Sequence, residues 1–122
     1  GCLEFASRRP GLVKVCAPVA AHYEFDLDEL VGRLTQEQAL PMWFFHACED
    51  MMCPVERIDE LVKKLRAQSR AAVHYTRFSD NWSFTGHCAD RVSYHVVSRT
   101  EGQLALGNEL FAWMLEQRQS KQ

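Results

Sequence analysis

Three stretches of the chain carry the hydrophobic pattern of buried β-strands. The clearest begins at Pro41, where apolar and aromatic residues run without interruption into His46 and Ala47. An unbroken run of this kind is typical of a strand that is covered on both faces, as in parallel sheets. Leu12 to Ala20 is short and rich in β-branched residues, and Ala72 to Phe78 alternates. We therefore predict strands near residues 12–18, 41–47 and 72–78.

The intervening stretches have the period of amphipathic helices. From Pro54 to Gln68, apolar residues recur every three or four positions with charged residues between them, which predicts a helix with one buried face. Asp26 to Leu34 and Asn108 to Gln119 have similar spacing and begin with residues that favour a helix start. Gly1 to Arg9 has the pattern of the last turns of a helix, stopped by Pro10. Because no capping residue precedes it, we expect this helix to begin upstream.

Strands that alternate with helices predict an α/β fold with parallel strands and right-handed crossovers. The expected arrangement has three layers, with a short parallel sheet flanked by helices. The 122 residues have the length of one domain. Polar residues just beyond the carboxyl end of a parallel strand lie where open α/β sheets place their chemistry. Asp50, which follows the strand at 41–47, is therefore the first candidate functional residue.

Composition and charge argue against several classes of protein. The formal net charge of -2 comes without a basic block, so the sequence predicts neither a nucleic-acid-binding face nor an anionic-membrane partner. No apolar run approaches the ~20 residues of a membrane span, and no signal peptide begins the chain. The five cysteines are an odd number and lack the spacing of a disulfide scaffold. They favour a reducing intracellular compartment over secretion.

A zinc site is the alternative interpretation of the cysteines. Cys48 and Cys53 lie near His46, and His87 precedes Cys88, but no C-x2-C or H-x3-H pair is present. We therefore favour cysteines that act as small core residues, and we predict neither a metal nor a cofactor. His46 is expected to be a buried structural residue that donates a hydrogen bond to a backbone carbonyl.

Five short motifs, taken together, resemble those of one enzyme family. Residues 41–50 (PMWFFHACED) look like a strand and acid turn of the family, and residues 53–55 (CPV) look like the helix start that follows. Gly86-His87 matches the family's Gly-His pair, and residues 110–115 (LFAWML) are similar to its closing helix. Residues 1–6 (GCLEFA) look like the helix behind the nucleophile elbow. The chain thus resembles the carboxyl-terminal half of an α/β-hydrolase, in the branch of the esterases and phospholipase/carboxylesterase-like serine hydrolases.

This resemblance implies a catalytic triad of which the chain supplies two members. Asp50 would orient His87, which would act as the general base for a serine in a Gly-x-Ser-x-Gly turn. That turn does not occur in the 122 residues, so we expect the chain alone to be inactive. Asp50 and His87 should converge at one edge of the sheet. Two alternatives stay open from the residues themselves: Asp50 as an ordinary acidic residue before a helix, and His87 as a solvated loop residue.

Two functions follow from these observations. In the first, residues 1–122 are the carboxyl-terminal portion of a single hydrolase domain that cleaves carboxylic esters or related acyl substrates. In the second, the chain is a degenerate, non-catalytic hydrolase-fold subunit that serves as a scaffold in a larger assembly. In both, the strand near Leu12 to Ala17 lacks a neighbour. Because unpaired strand edges tend to be covered, we expect the missing amino-terminal half or another protein chain to pair along it.

Overall fold

The computed structural model describes residues 2–24, 26–36, 40–78 and 107–120. The helices in these ranges are α1 (Cys2–Arg8), α2 (Leu27–Thr35), α3 (Val55–Gln68) and α4 (Gly107–Ser120), with a short 3-10 helix at Pro10–Leu12. The strands are β1 (Met42–Ala47) and β2 (Val73–Phe78). Helices and strands alternate as predicted, which confirms the α/β class.

The helices form where the apolar period predicts them. In α3 the five residues of the predicted stripe are all buried: Val55, Ile58, Leu61, Val62 and Leu65. The start of α2 is capped by Asp26, whose carboxylate accepts a hydrogen bond of 3.4 Å from the backbone N–H of Glu29. Within the described part of the chain, no helix combines the length and the apolar character that crossing a membrane requires.

β1 and β2 form a parallel pair whose carboxyl ends lie side by side. The register runs from Met42 opposite Val73 to Ala47 opposite Phe78, and α3 contacts both strands as the crossover helix. The N–H of Cys48 donates to the carbonyl of Phe78 at 2.8 Å, one residue beyond the end of β1. The segments that follow the two strands therefore start at the same edge of the sheet.

The third predicted strand, at residues 12–18, is not a regular strand. Within it and just beyond, Cys16 and Val19 form isolated parallel bridges with Met42 and Phe45. The N–H of Phe45 donates to the carbonyl of Pro18 at 2.9 Å, but proline has no N–H to donate in return. Pro18 therefore interrupts the ladder, and residues 16–20 lie as a broken third strand along the other side of β1.

The two faces of β1 contact different hydrophobic clusters. Met42 and Phe44 belong to the larger cluster, which contains buried residues of α1, α2 and α3. Phe45 packs with Leu110 and Trp113 of α4 in a smaller cluster on the other face. The sheet thus lies between helices on both sides, which confirms the predicted three-layer arrangement around a central strand.

Candidate functional site

Asp50 lies at the carboxyl end of the central strand, in the turn that follows β1. Its N–H donates to the carbonyl of Ala47 at 3.3 Å, so the chain bends back immediately after the strand. Cys48 and Glu49 are exposed in this turn, whereas the side chain of Asp50 is completely inaccessible to solvent. The turn therefore carries a carboxylate into the interior at the edge where β1 and β2 end.

The carboxylate of Asp50 is held by the backbone that follows it. Its Oδ1 accepts hydrogen bonds of 2.8 Å from the N–H groups of both Met52 and Cys53. A buried carboxylate is costly unless it is hydrogen-bonded, and amide bonds to a charged acceptor are stronger than neutral ones. Asp50 does not cap α3, because the residue at that position is Pro54. Its carboxylate instead stabilises the turn ahead of the helix.

His46 lies beside this carboxylate and is also completely buried. Its Nε2 is 2.7 Å from the carbonyl oxygen of Cys53 and 3.3 Å from Oδ2 of Asp50. Both neighbours are acceptors, so the tautomer that fits has its proton on Nε2. The Nδ1 atom has no hydrogen-bond partner among the residues that the structure describes. The prediction that His46 donates to a backbone carbonyl is confirmed, whereas its approach to Asp50 was not predicted.

Cys53 completes the group of side chains around Asp50. Burial and the neighbouring charge of Asp50 raise the pKa of the Cys53 thiol, although Arg57 opposes this shift. A thiol with a raised pKa stays protonated near neutral pH, and the protonated form is not the nucleophile. Cys53 is therefore poorly suited to replace the serine that a hydrolase requires.

The second predicted site residue, His87, lies outside the described residues. So does Cys88, which the zinc interpretation required. What the structure does describe is the strand before them: β2 ends at Phe78, directly beside the turn that holds Asp50. The convergence of Asp50 and His87 remains a prediction. Among the described residues, no three potential metal ligands cluster together.

A cleft that was not predicted from the sequence lies beside the broken strand. It has a volume of about 640 Å³ and runs between α1 and residues 19–24. Cys2 lines it, and a hydrogen bond from Cys16 is the main factor that lowers the pKa of the Cys2 thiol to about 7. The contact joins residues fourteen positions apart, and no local motif reveals such a pairing.

Comparison with known proteins identifies the fold. No family model matches the chain, and no curated protein matches it significantly in sequence. A solved structure, described as the crystal structure of a thermostable esterase, superposes with a TM-score of 0.70 at 23% sequence identity. The match covers 95% of this chain and 27% of that chain, so this chain spans about a quarter of that esterase's length. The chain therefore has an esterase-like α/β fold, and the match corresponds to part of a longer one.

Proposed function

We propose that the polypeptide to which these residues belong hydrolyses carboxylic esters or related acyl compounds, with Asp50 as the acid of its triad. The observation that carries the proposal is the position of Asp50: a buried carboxylate at the carboxyl end of the central parallel strand of an esterase-like fold. Open α/β sheets place their functional groups at this edge.

In this mechanism Asp50 acts on a histidine, for which His87 is the candidate. A serine supplied by another segment attacks the acyl carbon while His87 accepts its proton, and Asp50 stabilises the imidazolium that forms. We assign Oδ2 of Asp50 to this task, because Oδ1 is held by two backbone hydrogen bonds and a carboxylate oxygen beside Nε2 of His46, 3.3 Å away, can accept from a second donor. Collapse of the tetrahedral intermediate then releases the alcohol, which takes the proton from His87, and leaves the acyl group on the serine. Water, deprotonated by His87, attacks this acyl-serine ester, and the carboxylic acid leaves as the serine regains the proton.

Hydrolysis of a short-chain p-nitrophenyl ester tests this proposal. The 122-residue chain by itself should show only background hydrolysis, because it contains no Gly-x-Ser-x-Gly turn. In a complete polypeptide that carries such a turn, Asp50→Asn should lower kcat by about 10⁴-fold, and His87→Ala should lower it at least as much. Asp50→Asn retains the Oδ1 acceptor while it removes the charge.

Asp59→Asn is the matched control for this experiment. Asp59 is a partly buried carboxylate whose Oδ1 accepts a hydrogen bond from Tyr75, so the substitution makes the same chemical change away from the proposed site. It should leave kcat within about twofold. Activity that survives Asp50→Asn would overturn the catalytic assignment, and a folded but inactive complete polypeptide would favour the scaffold alternative.

We also propose that a further strand pairs along residues 13–19. In a strand, the backbone N–H and carbonyl groups of successive residues point alternately to its two sides. Those of Val15, Ala17 and Val19 therefore point away from β1. In the described part of the chain they make no backbone hydrogen bond. Unpaired groups of this kind on a sheet edge are a template for another strand.

The surroundings of this edge define the chemistry of the proposed strand. A groove of about 480 Å³ lies along it and is lined entirely by apolar side chains and thiols: Cys2, Phe5, Val13, Val15, Cys16, Ala17 and Met114. Phe5 belongs to α1 and Met114 to α4, which pack on opposite faces of the sheet. The strand that fits is therefore apolar on both faces and parallel to β1. We assign it to the polypeptide that completes the esterase-like fold.

Amide hydrogen exchange distinguishes a strand of the complete polypeptide from other occupants of this sheet edge. In the complete polypeptide, the amides of Val15, Ala17 and Val19 should be protected at least about tenfold more than in the isolated chain. Phe5→Lys should weaken this protection, because Phe5 lines the groove. Leu12→Lys adds the same charge at an exposed residue outside it and should not. A concentration-dependent dimer of the isolated chain that protects these amides would instead identify a second copy as the occupant.

A further inference from the structure

His46 is a buried polar residue that the proposed proton transfers do not use. It lies near the end of β1 and has no solvent exposure. Burial of an imidazole is unfavourable unless its polar atoms are engaged, and one of them, Nε2, contacts two groups of the turn that follows the strand. Both contacts are with the turn that contains Asp50, so the side chain acts on that turn.

The backbone of Cys53 is held at both ends by this arrangement. Its N–H donates to Oδ1 of Asp50 at 2.8 Å, and its carbonyl oxygen lies 2.7 Å from Nε2 of His46. The residue cannot rotate about its own backbone bonds without breaking one of these contacts. The imidazole therefore keeps the Cys53 N–H directed at the carboxylate, and its Nε2 also faces Oδ2 of Asp50 at 3.3 Å.

We propose that His46 is a positioning residue for Asp50, acting through the backbone of Cys53 and through Oδ2. The residue contributes an N–H donor in a fixed place and does not exchange a proton with the site. The catalytic consequence rests on the proposed function, since the orientation of Asp50 affects a rate only if the carboxylate serves the triad. In such a site, a displacement of about 1 Å can cost about 100-fold in rate.

Local hydrogen exchange in the 122-residue chain tests this role against a merely structural one. His46→Phe removes the donor but keeps a buried ring. The amides of Met52 and Cys53 should then lose about tenfold more protection than those of Phe44 and Thr76, whose N–H groups face across the β1–β2 pair. A residue that only supports global stability would lower the protection of all four amides together, and that result would overturn the proposal.

Two further variants keep the test decisive. His46→Gln retains an N–H donor and should restore most of the protection at Met52 and Cys53. Should His46→Phe not fold, His46→Gln carries the test by itself, with a selective loss of about threefold expected from its more flexible donor. His22→Gln is the control, because His22 is exposed and its replacement should change none of these amides.

Kinetics of the complete esterase separate this inference from the proposed function. If both hold, His46→Phe should lower kcat by up to about 100-fold while KM stays within about twofold. A selective loss of amide protection with unchanged kcat would keep His46 as the positioning residue and reject Asp50 as the triad acid. No selective loss of protection would reject the positioning role, whatever the kinetics show.

Discussion

The side chains of Tyr23 and Arg57 each donate a hydrogen bond to the backbone carbonyl group of the other residue. The Tyr23 hydroxyl donates to the carbonyl of Arg57 at 3.1 Å, and Nη2 of Arg57 donates to the carbonyl of Tyr23 at 3.2 Å. The guanidinium carbon also lies 4.3 Å from the centre of the Tyr23 ring. The pair joins the loop after the broken strand to the first turn of α3, just beyond the turn that contains Asp50.

Removal of the Tyr23 hydroxyl should weaken this junction without emptying the core. Tyr23→Phe keeps the ring beneath the guanidinium and loses one hydrogen bond, so the free energy of unfolding should fall by about 1 kcal/mol. Arg57→Ala should cost more, because it also removes the contact with the ring. Urea unfolding measures both, and the effects should add within about 0.5 kcal/mol in the double variant, because each side chain bonds to a backbone carbonyl that the other substitution leaves in place.

Lys63→Ala supplies the control for this cycle. Lys63 is exposed on the same helix, and its replacement should change the free energy of unfolding by less than about 0.5 kcal/mol. A Tyr23→Phe effect no larger than that of Lys63→Ala would mean that the Tyr23 hydroxyl does not stabilise the junction.

The parts of the fold that were predictable are those set by local periodicity. The stripe from Val55 to Leu65 specifies a helix face, and the run at Pro41 specifies a strand buried on both sides, because each pattern matches one backbone geometry. Pro18 in the first predicted strand indicates an interruption from the sequence alone, since proline has no N–H for the hydrogen-bond ladder. Its effect could be located only once the neighbouring strand was known.

The candidate site was only partly predictable for a different reason. The place of Asp50 after a buried strand follows from the sequence, because strand ends locate turns. Its bonds to Met52 and Cys53, and the approach of His46, depend on the dihedral angles of the turn, which no spacing rule specifies. The pairing of Tyr23 with Arg57 and that of Cys2 with Cys16 join distant residues, so they arise only when the helices pack on the sheet.

Alkaline pH should destabilise the protein through Tyr75. The hydroxyl of Tyr75 donates to Oδ1 of Asp59 at 2.6 Å, and burial together with this bond raises the pKa of the phenol above its ordinary value of 10.0. Above pH 10 the unfolded state therefore loses the proton first, and stability falls as the pH rises toward the folded-state pKa. The urea midpoint should decrease above pH 10, and this decrease should be smaller in Tyr75→Phe.

Asp59→Asn provides a second check on the cause. It removes the negative charge beside the phenol but retains an acceptor, so the pKa of Tyr75 should move back toward its ordinary value. Spectroscopic titration of the phenol in the folded protein measures this change. An alkaline transition that is identical in Tyr75→Phe would assign the pH dependence to other groups, such as Cys16, whose pKa is also raised, mainly by its hydrogen bond with Cys2.

Cys2 should react with iodoacetamide faster than an ordinary thiol at pH 7. Its pKa of about 7, lowered mainly by the hydrogen bond from Cys16, makes about half of it thiolate, against about 1% for a pKa near 9. The lower basicity reduces the intrinsic nucleophilicity of the thiolate by about tenfold. Cys16→Ala should therefore slow the modification of Cys2 by about fivefold. Peptide mapping by mass spectrometry gives the rate at each cysteine.

Cys48 is the internal control for this measurement. It is exposed in the turn after β1, at the end of the sheet that the Cys16 substitution does not touch. Its rate should be the same in the unaltered chain and in Cys16→Ala. Equal slowing at Cys2 and Cys48 would indicate a general structural change, and no slowing at Cys2 would mean that Cys16 does not activate it.

Pro18→Val should repair the interrupted strand. The N–H of Trp43 donates to the carbonyl of Cys16 at 3.0 Å, so the carbonyl of Trp43 faces the same segment and lies where residue 18 would donate. Valine supplies that N–H and favours a strand conformation. A slowly exchanging amide proton should therefore appear at position 18.

The gain of about 1 kcal/mol from the hydrogen bond is offset by the greater freedom of valine in the unfolded chain, so overall stability should change little. Rapid exchange at position 18 in a folded variant would mean that proline is not what interrupts the ladder.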